Sequence, residues 1–482
     1  MKSIQAHQSF FINAAGFLIF LTASSSASAL CYVNGGAGGA NTGVSWTDAY
    51  TDLQSALSDA NCTEIWVAQG VYKPVVPANV GSVTPGERAV SFNIGPGVAV
   101  YGGFSGSENS LAARDPATHV TILSGDIDNN DTGLNGVDAD TSKIVGSNTR
   151  HIVVMNGVAG VAITASTVLD GFTLTGGDSA DNAGALWCKG NGAGHACSPT
   201  LGRLAFSGNR AASSGGAMAL DGYSGGVSSP TLTNITFSGN SAGLFGGAMY
   251  DNAQLAGGTS SPTLTNVTFS GNHSANYGGA MVNDASGTGT SNPLLTNVTF
   301  SGNSATNGGA MFNNGIGFGF SPKLINATFN GNSANYGGAI YNNNGNVLLL
   351  NSILWGDSAT TNGSEFFSVS GETSLYYSIV QGGCLVSCGG SPIYTGDPLL
   401  GTLADNGGFT RTLMPGPGSA AINAVPCSSS SEAPVNDQRG AVRPDSASSG
   451  PNRCDIGAVE ADSLPGDLIF ADRFGSSPWD DF

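Results

Sequence analysis

Pro230-Thr-Leu-Thr-Asn234-Ile-Thr-Phe237-Ser-Gly-Asn240, followed after five intervening residues by Gly246-Gly247-Ala248-Met249, is the stretch that decides the fold. The same wording returns from Pro262 to Met281, from Pro293 to Met311 and from Pro322 to Ile340, and a rougher copy runs from Pro199 to Met218. The five prolines are spaced by 31, 32, 31 and 29 residues. A fixed period of this size means stacked units. Helical repeats of similar length need long segments with a 3.6-residue period. Here Gly-Gly, Ser-Gly-Asn and Pro interrupt every few residues, which no helix tolerates. The segments between them are rich in Val, Ile, Thr and Phe, which favour strands. One repeat is therefore one coil of a parallel β-helix, with neighbouring coils one strand spacing, about 4.8 Å, apart.

Stacked coils place equivalent residues in columns. Phe206, Phe237, Phe269, Phe300 and Phe329 form an expected aromatic stack inside. Leu186, Met218, Met249, Met281, Met311 and Ile340 form a second apolar column. Asn209, Asn240, Asn272, Asn303 and Asn332 should make an asparagine ladder at a turn, each amide hydrogen-bonding to the next rung. The Gly-Gly pairs should supply positive φ or close backbone approach at a corner. Asn234, Asn266, Asn272, Asn297 and Asn326 sit in N-x-Ser/Thr triplets, but the repeat explains them before glycosylation does, since a stacked position excludes a glycan.

Outward from the repeats, the chain of 482 residues is one long body rather than several ordinary domains. Its 73 glycines and 10% charged residues suggest low complexity, but 40% apolar residues are too many for a disordered chain. A formal net charge of −18 argues against nucleic acid as a partner. Residues 1–29 read as an export signal: a short polar start, a mostly apolar run from Phe10 to Thr22, and Ala27-Ser28-Ala29 as a cleavage pattern. No later stretch is long and apolar enough to span a bilayer. Residues 30–165 are expected to hold an N-terminal cap and irregular first coils. Within them, Asp48 to Ala60 shows helical spacing, with Tyr50, Leu53, Leu57 and Ala60 on one face, as a helix capping the open end would. Regular rungs occupy 166–357. Residues 358–460 contain final coils and an extended closing segment, and 461–482 form a tail.

A resemblance now becomes specific. Phe-Ser-Gly-Asn followed by Gly-Gly-Ala-Met resembles the FxxN and GGA[ILVM] motifs of polymorphic outer-membrane protein repeats. The C-terminal part resembles the choice-of-anchor Q domain of bacterial surface proteins, through Asn351-Ser-Ile-Leu-Trp355-Gly, Asp397-Pro-Leu-Leu400, Asp405-Asn-Gly-Gly408, Asp437-Gln-Arg-Gly440 and Cys454-Asp-Ile-Gly-Ala458-Val-Glu460. The resemblance implies a right-handed parallel β-helix of the pectate-lyase-like class, exported to a bacterial outer surface. It carries no shared reaction.

Four sets of residues are candidates for chemistry. Spacing suggests the disulfides Cys31–Cys62, Cys188–Cys197, Cys384–Cys388 and Cys427–Cys454. Asp126, Asp128, Asn130 and Asp131, with Asp138 and Asp140 nearby, offer hard oxygens of the kind calcium prefers; a solvated acidic turn is the plainer reading. Stacking could bring Asp221, Asp251 and Asp284 onto one strip, and paired carboxylates at defined separation serve glycosidases. If the Met column faces inward, the next residues, Trp187, Tyr250, Phe312 and Tyr341 among them, face out and offer an aromatic stripe for a ligand. No Lys or Arg occurs between Ala211 and Pro322, which makes the central rungs poor ground for binding an anionic polymer or removing its proton. A β-helix carbohydrate-active enzyme, its basic residues among Arg114, Lys143, Arg150 and His151, is the second reading. The first is a noncatalytic adhesin or structural passenger that meets a cell-surface or extracellular polymer or protein.

Overall fold

The computed structural model describes residues 29–74, 88–315, 321–384, 388–427, 432–443 and 453–461. Residues 1–28 of the expected export signal and the tail beyond 461 lie outside them.

The repeats stack as a parallel β-helix. The strands Thr200–Ser207, Thr231–Ser238, Thr263–Ser270, Leu294–Ser301 and Lys323–Asn330 pair in parallel, so that Phe206, Phe237, Phe269, Phe300 and Phe329 fall opposite one another. Their rings stack with centroids 4.6–4.8 Å apart and planes within 10°. All five are fully buried. A second parallel column contains Met218–Asp221, Met249–Asn252, Met281–Ala285, Met311–Gly315 and Ile340–Asn343, with the Met/Ile side chains inside. A third, of two-residue strands such as Arg210–Ala211 and Ser241–Ala242, closes the coil.

Each long strand bends in its middle at Arg203, Asn234, Asn266, Asn297 or Asn326, where φ lies between 47° and 59°. Asparagine is the residue other than glycine best suited to this left-handed backbone. This is the physical reason for four of the N-x-Ser/Thr triplets, and it splits one strand into two faces. The asparagine ladder forms as expected. Asn240 donates its backbone N–H and Nδ2 to Asn272 Oδ1, and Asn272 does the same to Asn303 Oδ1, at 2.9–3.1 Å. At the far end Asp357 replaces asparagine, accepting from Asn332 N and Nδ2 at 2.7 Å.

The Gly-Gly corner divides its labour. Gly246 takes φ +62°, whereas a Cβ on Gly247 would stand 2.1 Å from the Gly279 carbonyl oxygen of the next rung. One glycine serves conformation and the other serves close stacking.

The ends depart from the regular stack in two places. The capping helix is shorter than the Asp48–Ala60 spacing suggests. It runs only from Leu53 to Ser58, because Asp52 caps it by accepting from Ser55 N and Cys62 already begins the next strand. Leu53 and Ala56 are its buried residues. The closing segment does not extend the stack. The last coil ends near Ile393–Tyr394, and the chain then doubles back as a strap along the outer face of the long strands. Ala421, Val425, Cys454 and Ile456 form a small second core with the outward-facing Ile353 and Ile379.

Cys31–Cys62, Cys188–Cys197 and Cys427–Cys454 are disulfides, with Cα atoms 5.2–5.6 Å apart. Cys384 is also oxidised, and the side chain of its expected partner, Cys388, lies outside the described residues.

Candidate functional site

The aromatic column points away from the main core, as strand alternation requires, but it is not an exposed stripe. Tyr250 and Phe312 are 5% and 4% exposed, and Trp187 and Tyr341 are half-buried. The residues just before each Gly-Gly pair cause this. Phe245 and Tyr277 stack on one another at 5.3 Å and fold over the column, packing against Tyr250 and Phe312. The sequence signal was there: an aromatic precedes Gly-Gly in three of the repeats. Trp187 is further occupied, with Lys189 Nζ 3.7 Å from its ring centroid and its Nε1 donating to Asp221 at 2.5 Å.

The register also separates the three aspartates. Asp251 pairs with Leu220 and Asn283, while Asp221 pairs with Asn252 and Asn252 with Asp284. Asp251 therefore faces the interior, and burial raises its pKa well above the ordinary carboxylate value. Asp221 and Asp284 face the other way with an asparagine between them, which donates to Asp221 at 2.9 Å. They form a hydrogen-bonded Asp/Asn ladder, not a catalytic carboxylate strip. Among the early basic residues, Arg114 is buried against Asp170 at 2.6 Å, and His151 holds the Ala183 carbonyl at 2.7 Å beneath Trp187.

In the acidic loop, Asp126 Oδ1 accepts from Asn130 N at 3.1 Å, and Asp128 Oδ2 and Asn130 Nδ2 both lie beside Gly146. Lys73 Nζ binds Asp126 at 2.9 Å and Asn129 at 2.7 Å, neutralising that corner. Asp128 and Asn130 are exposed, and Asp128 accepts from Ser147 N at 2.8 Å. Asp126 is itself buried, and Asp131 lies beside Asp138. Cys31 and Cys62 lie beside Asp59 in a cluster of metal-ligand types, but their disulfide consumes both thiols.

The concave feature of interest lies elsewhere, between the strap and the long strands. Its volume is about 430 Å³. The solenoid wall consists of Ala205, Thr236 and a column of hydroxyls, Ser207, Ser238, Ser270 and Ser301, which are the serines of the repeated Ser-Gly-Asn. The opposite wall is the strap hairpin, Leu400–Ala404 paired antiparallel with Thr412–Pro415, and its tip. Asp405, Phe409 and Thr410 line the groove, and Phe409 is 39% exposed.

The strap is held by what its own residues can bury. Gln438, 1% exposed, donates to Thr268 and Thr410 at 2.8 and 2.9 Å and accepts from Thr299 at 2.7 Å. Behind it, Arg439 pairs with Asp437 and Arg443 with Glu460, each at 2.9 Å, all four buried. Burial raises Glu460 to about 7, with Arg443 opposing and Asp455 and Asp437 reinforcing the shift. Asp437-Gln-Arg-Gly440 and the run Cys454 to Glu460 are thus the clamp that seats the strap. Sequence reading singled out these residues but not the groove they create, because the serines that line it looked like turn residues.

The family model of the Chlamydia polymorphic membrane protein repeat matches residues 266–280 and 326–343. Both segments start at the left-handed asparagine of a long strand and end at or beyond the Gly-Gly corner. No curated protein and no solved structure matches the chain. Among the described residues no helix is long and apolar enough to cross a membrane.

Proposed function

We propose that this chain is a surface-displayed, adhesin-like protein: a rigid solenoid that holds a hydroxyl-rich extracellular polymer in the groove beneath its C-terminal strap. The match to a polymorphic membrane protein repeat supports display at an outer surface. The observation that carries the ligand class is the groove itself. Hydroxyls recur there at one-rung intervals, about 4.8 Å, opposite an exposed aromatic ring. A polymer lying along the solenoid axis would meet a donor-acceptor at each step and an apolar face on Phe409, the mixture typical of small-ligand sites.

Binding without cleavage fits the same lining. Asp405 is the one carboxylate among the described lining residues, whereas ordinary glycoside hydrolysis takes two. The test is a screen of the purified chain against plant, bacterial and animal polysaccharides, reading both retention and chain length. Phe409→Ala should weaken retention roughly tenfold or more while leaving the β-sheet circular dichroism unchanged. Shortening of any polymer would favour the carbohydrate-active enzyme reading. Retention indifferent to Phe409 would move the site off the groove.

A further inference from the structure

Of the long strands that line the groove, Thr200–Ser207 comes first in the chain, and it breaks the repeat beside the strap. Arg203 occupies the left-handed bend of this strand, at φ 47°, where the next four coils place Asn234, Asn266, Asn297 and Asn326. Arginine bears a steric cost at this backbone that asparagine largely avoids, and local strain of this kind gathers at binding sites. The residue before it departs as well. Gly202 stands where the following coils carry Thr233, Thr265 and Thr296. The missing side chain leaves the space that the Asp170 carboxylate fills, since a Cβ on Gly202 would meet Asp170 Oδ2 at 2.3 Å. Two consecutive residues thus give up the repeat for one ion pair.

That ion pair is unbalanced. Asp170 Oδ1 accepts from Arg203 Nε at 2.8 Å and from Arg114 Nη2 at 2.6 Å, so two guanidinium groups share one carboxylate. Arg114 is buried, and its Nη1 donates to the Gly102 and Asp170 carbonyls. The Arg203 side chain is 34% exposed, and among the described residues its two Nη groups have no hydrogen-bond partner. Its guanidinium carbon lies 5.9 Å from the centre of the Phe409 ring, the exposed aromatic of the groove. Arg411, two residues further along the strap, lines the same groove.

Around Phe409, then, Arg114, Arg203 and Arg411 stand against Asp170 and Asp405, three positive charges against two negative. The chain as a whole carries −18. At physiological ionic strength, however, exposed charges more than about 8 Å away are largely screened. A ligand at this point meets the local excess of positive charge.

We propose that Arg203 is an anion-binding residue at the mouth of the groove, and that the polymer held there is an acidic polysaccharide whose carboxylate or sulfate groups meet the Nη edge of Arg203 while a sugar face lies on Phe409. The inference rests on the groove reading above and narrows its ligand class. Nη1 and Nη2 of the planar guanidinium present a fork of N–H donors that oxyanions match in pairs. Serine hydroxyls recur at each coil, whereas the arginine occurs once. Charge is read at one end of the groove and hydroxyls along its length.

The experiment uses the full chain and polymers that differ in charge on one backbone. Carboxymethyl dextran and dextran sulfate are set against plain dextran, and polygalacturonate against its methyl ester. Retention is read by affinity electrophoresis at about 50 and about 300 mM salt, and the preference for charge should shrink at the higher. At the lower salt the parent chain should hold at least one charged polymer about tenfold or more above its neutral counterpart. The carboxylated and the sulfated polymers tell the two anions apart. Arg203→Asn places the residue of the other coils at the bend, so the circular dichroism should stay unchanged. The variant should lose the preference and keep the parent's retention of the neutral polymers. Equal retention of charged and neutral polymers by the parent, with Phe409→Ala weakening both, overturns this inference and leaves the groove reading standing. A preference that survives in Arg203→Asn overturns it too. Retention indifferent to Phe409→Ala, or no retention of any polymer, overturns the groove reading and this inference with it.

Discussion

Replacing Asn272 by alanine tests whether the ladder is a structural spine or a by-product of stacking. Asn272 is fully buried. Its Oδ1 accepts from Asn240 N and Asn240 Nδ2, and its Nδ2 donates to the Phe237 carbonyl and to Asn303 Oδ1, both at 3.0 Å. Alanine leaves the Asn240 N–H and the Phe237 carbonyl without these partners, while the Asn240 amide keeps the Phe206 carbonyl at 3.0 Å. Asn303 Oδ1 keeps the Asn272 backbone N–H at 3.0 Å and is spared. Each buried polar group left unpaired costs about 1–3 kcal/mol, so two set a floor of about 2 kcal/mol. In a solenoid the damage falls on the coils that touch, here those of Asn240 and Asn303. The assay is guanidinium unfolding followed by tryptophan fluorescence, with hydrogen exchange locating the loss. Asn335→Ala is the control. That residue is exposed and accepts one hydrogen bond from Thr360 at the surface, so its loss should stay within about 0.5 kcal/mol. An Asn272→Ala cost within about 1 kcal/mol of this control, or exchange that speeds only far from the two neighbouring coils, would refute the reasoning.

Three further outcomes follow from the same geometry. Gly247→Ala should destabilise the fold far more than Gly271→Ala, as read by unfolding midpoints. The first drives a Cβ to 2.1 Å from a backbone oxygen, while the second finds open space at φ +59° and costs only the left-handed strain, about 1–2 kcal/mol. Gln438→Ala should speed proteolysis and hydrogen exchange of the strap tip at 403–411 without touching the central rungs, since its amide ties the strap to Thr268 and Thr299. Glu365→Gln should flatten a pH dependence. Burial lifts Asp357 to about 7, and burial followed by the Asp357 charge lifts Glu365 to about 10. The folded chain then keeps protons that the unfolded chain releases above about 4. The contribution to stability is whole below that pH and is lost as pH climbs through about 7 and on towards 10. The variant should lose the upper part of this slope and be more stable than the parent at pH 9, as measured by unfolding at pH 5, 7 and 9.

What the sequence determined by itself is the periodic part. Strand segments, glycine corners and the Phe, Met and Asn columns each depend on contacts between a residue and its counterpart one coil away. Such contacts repeat at a fixed interval, so the interval reveals them. The three local disulfides were legible for a related reason, since each joins cysteines only 9 to 31 residues apart. Tertiary structure decided everything that breaks the period. Whether Tyr250 and Phe312 met solvent depended on Phe245 and Tyr277 folding over them. Whether Asp251 joined Asp221 depended on a one-residue register, which sends alternate side chains to opposite faces. The strap is the largest case. Gln438 meets Thr268 across 170 positions, through a fold-back with no counterpart in any repeat. The Ser ladder became the wall of a groove only because that segment returned to cover it.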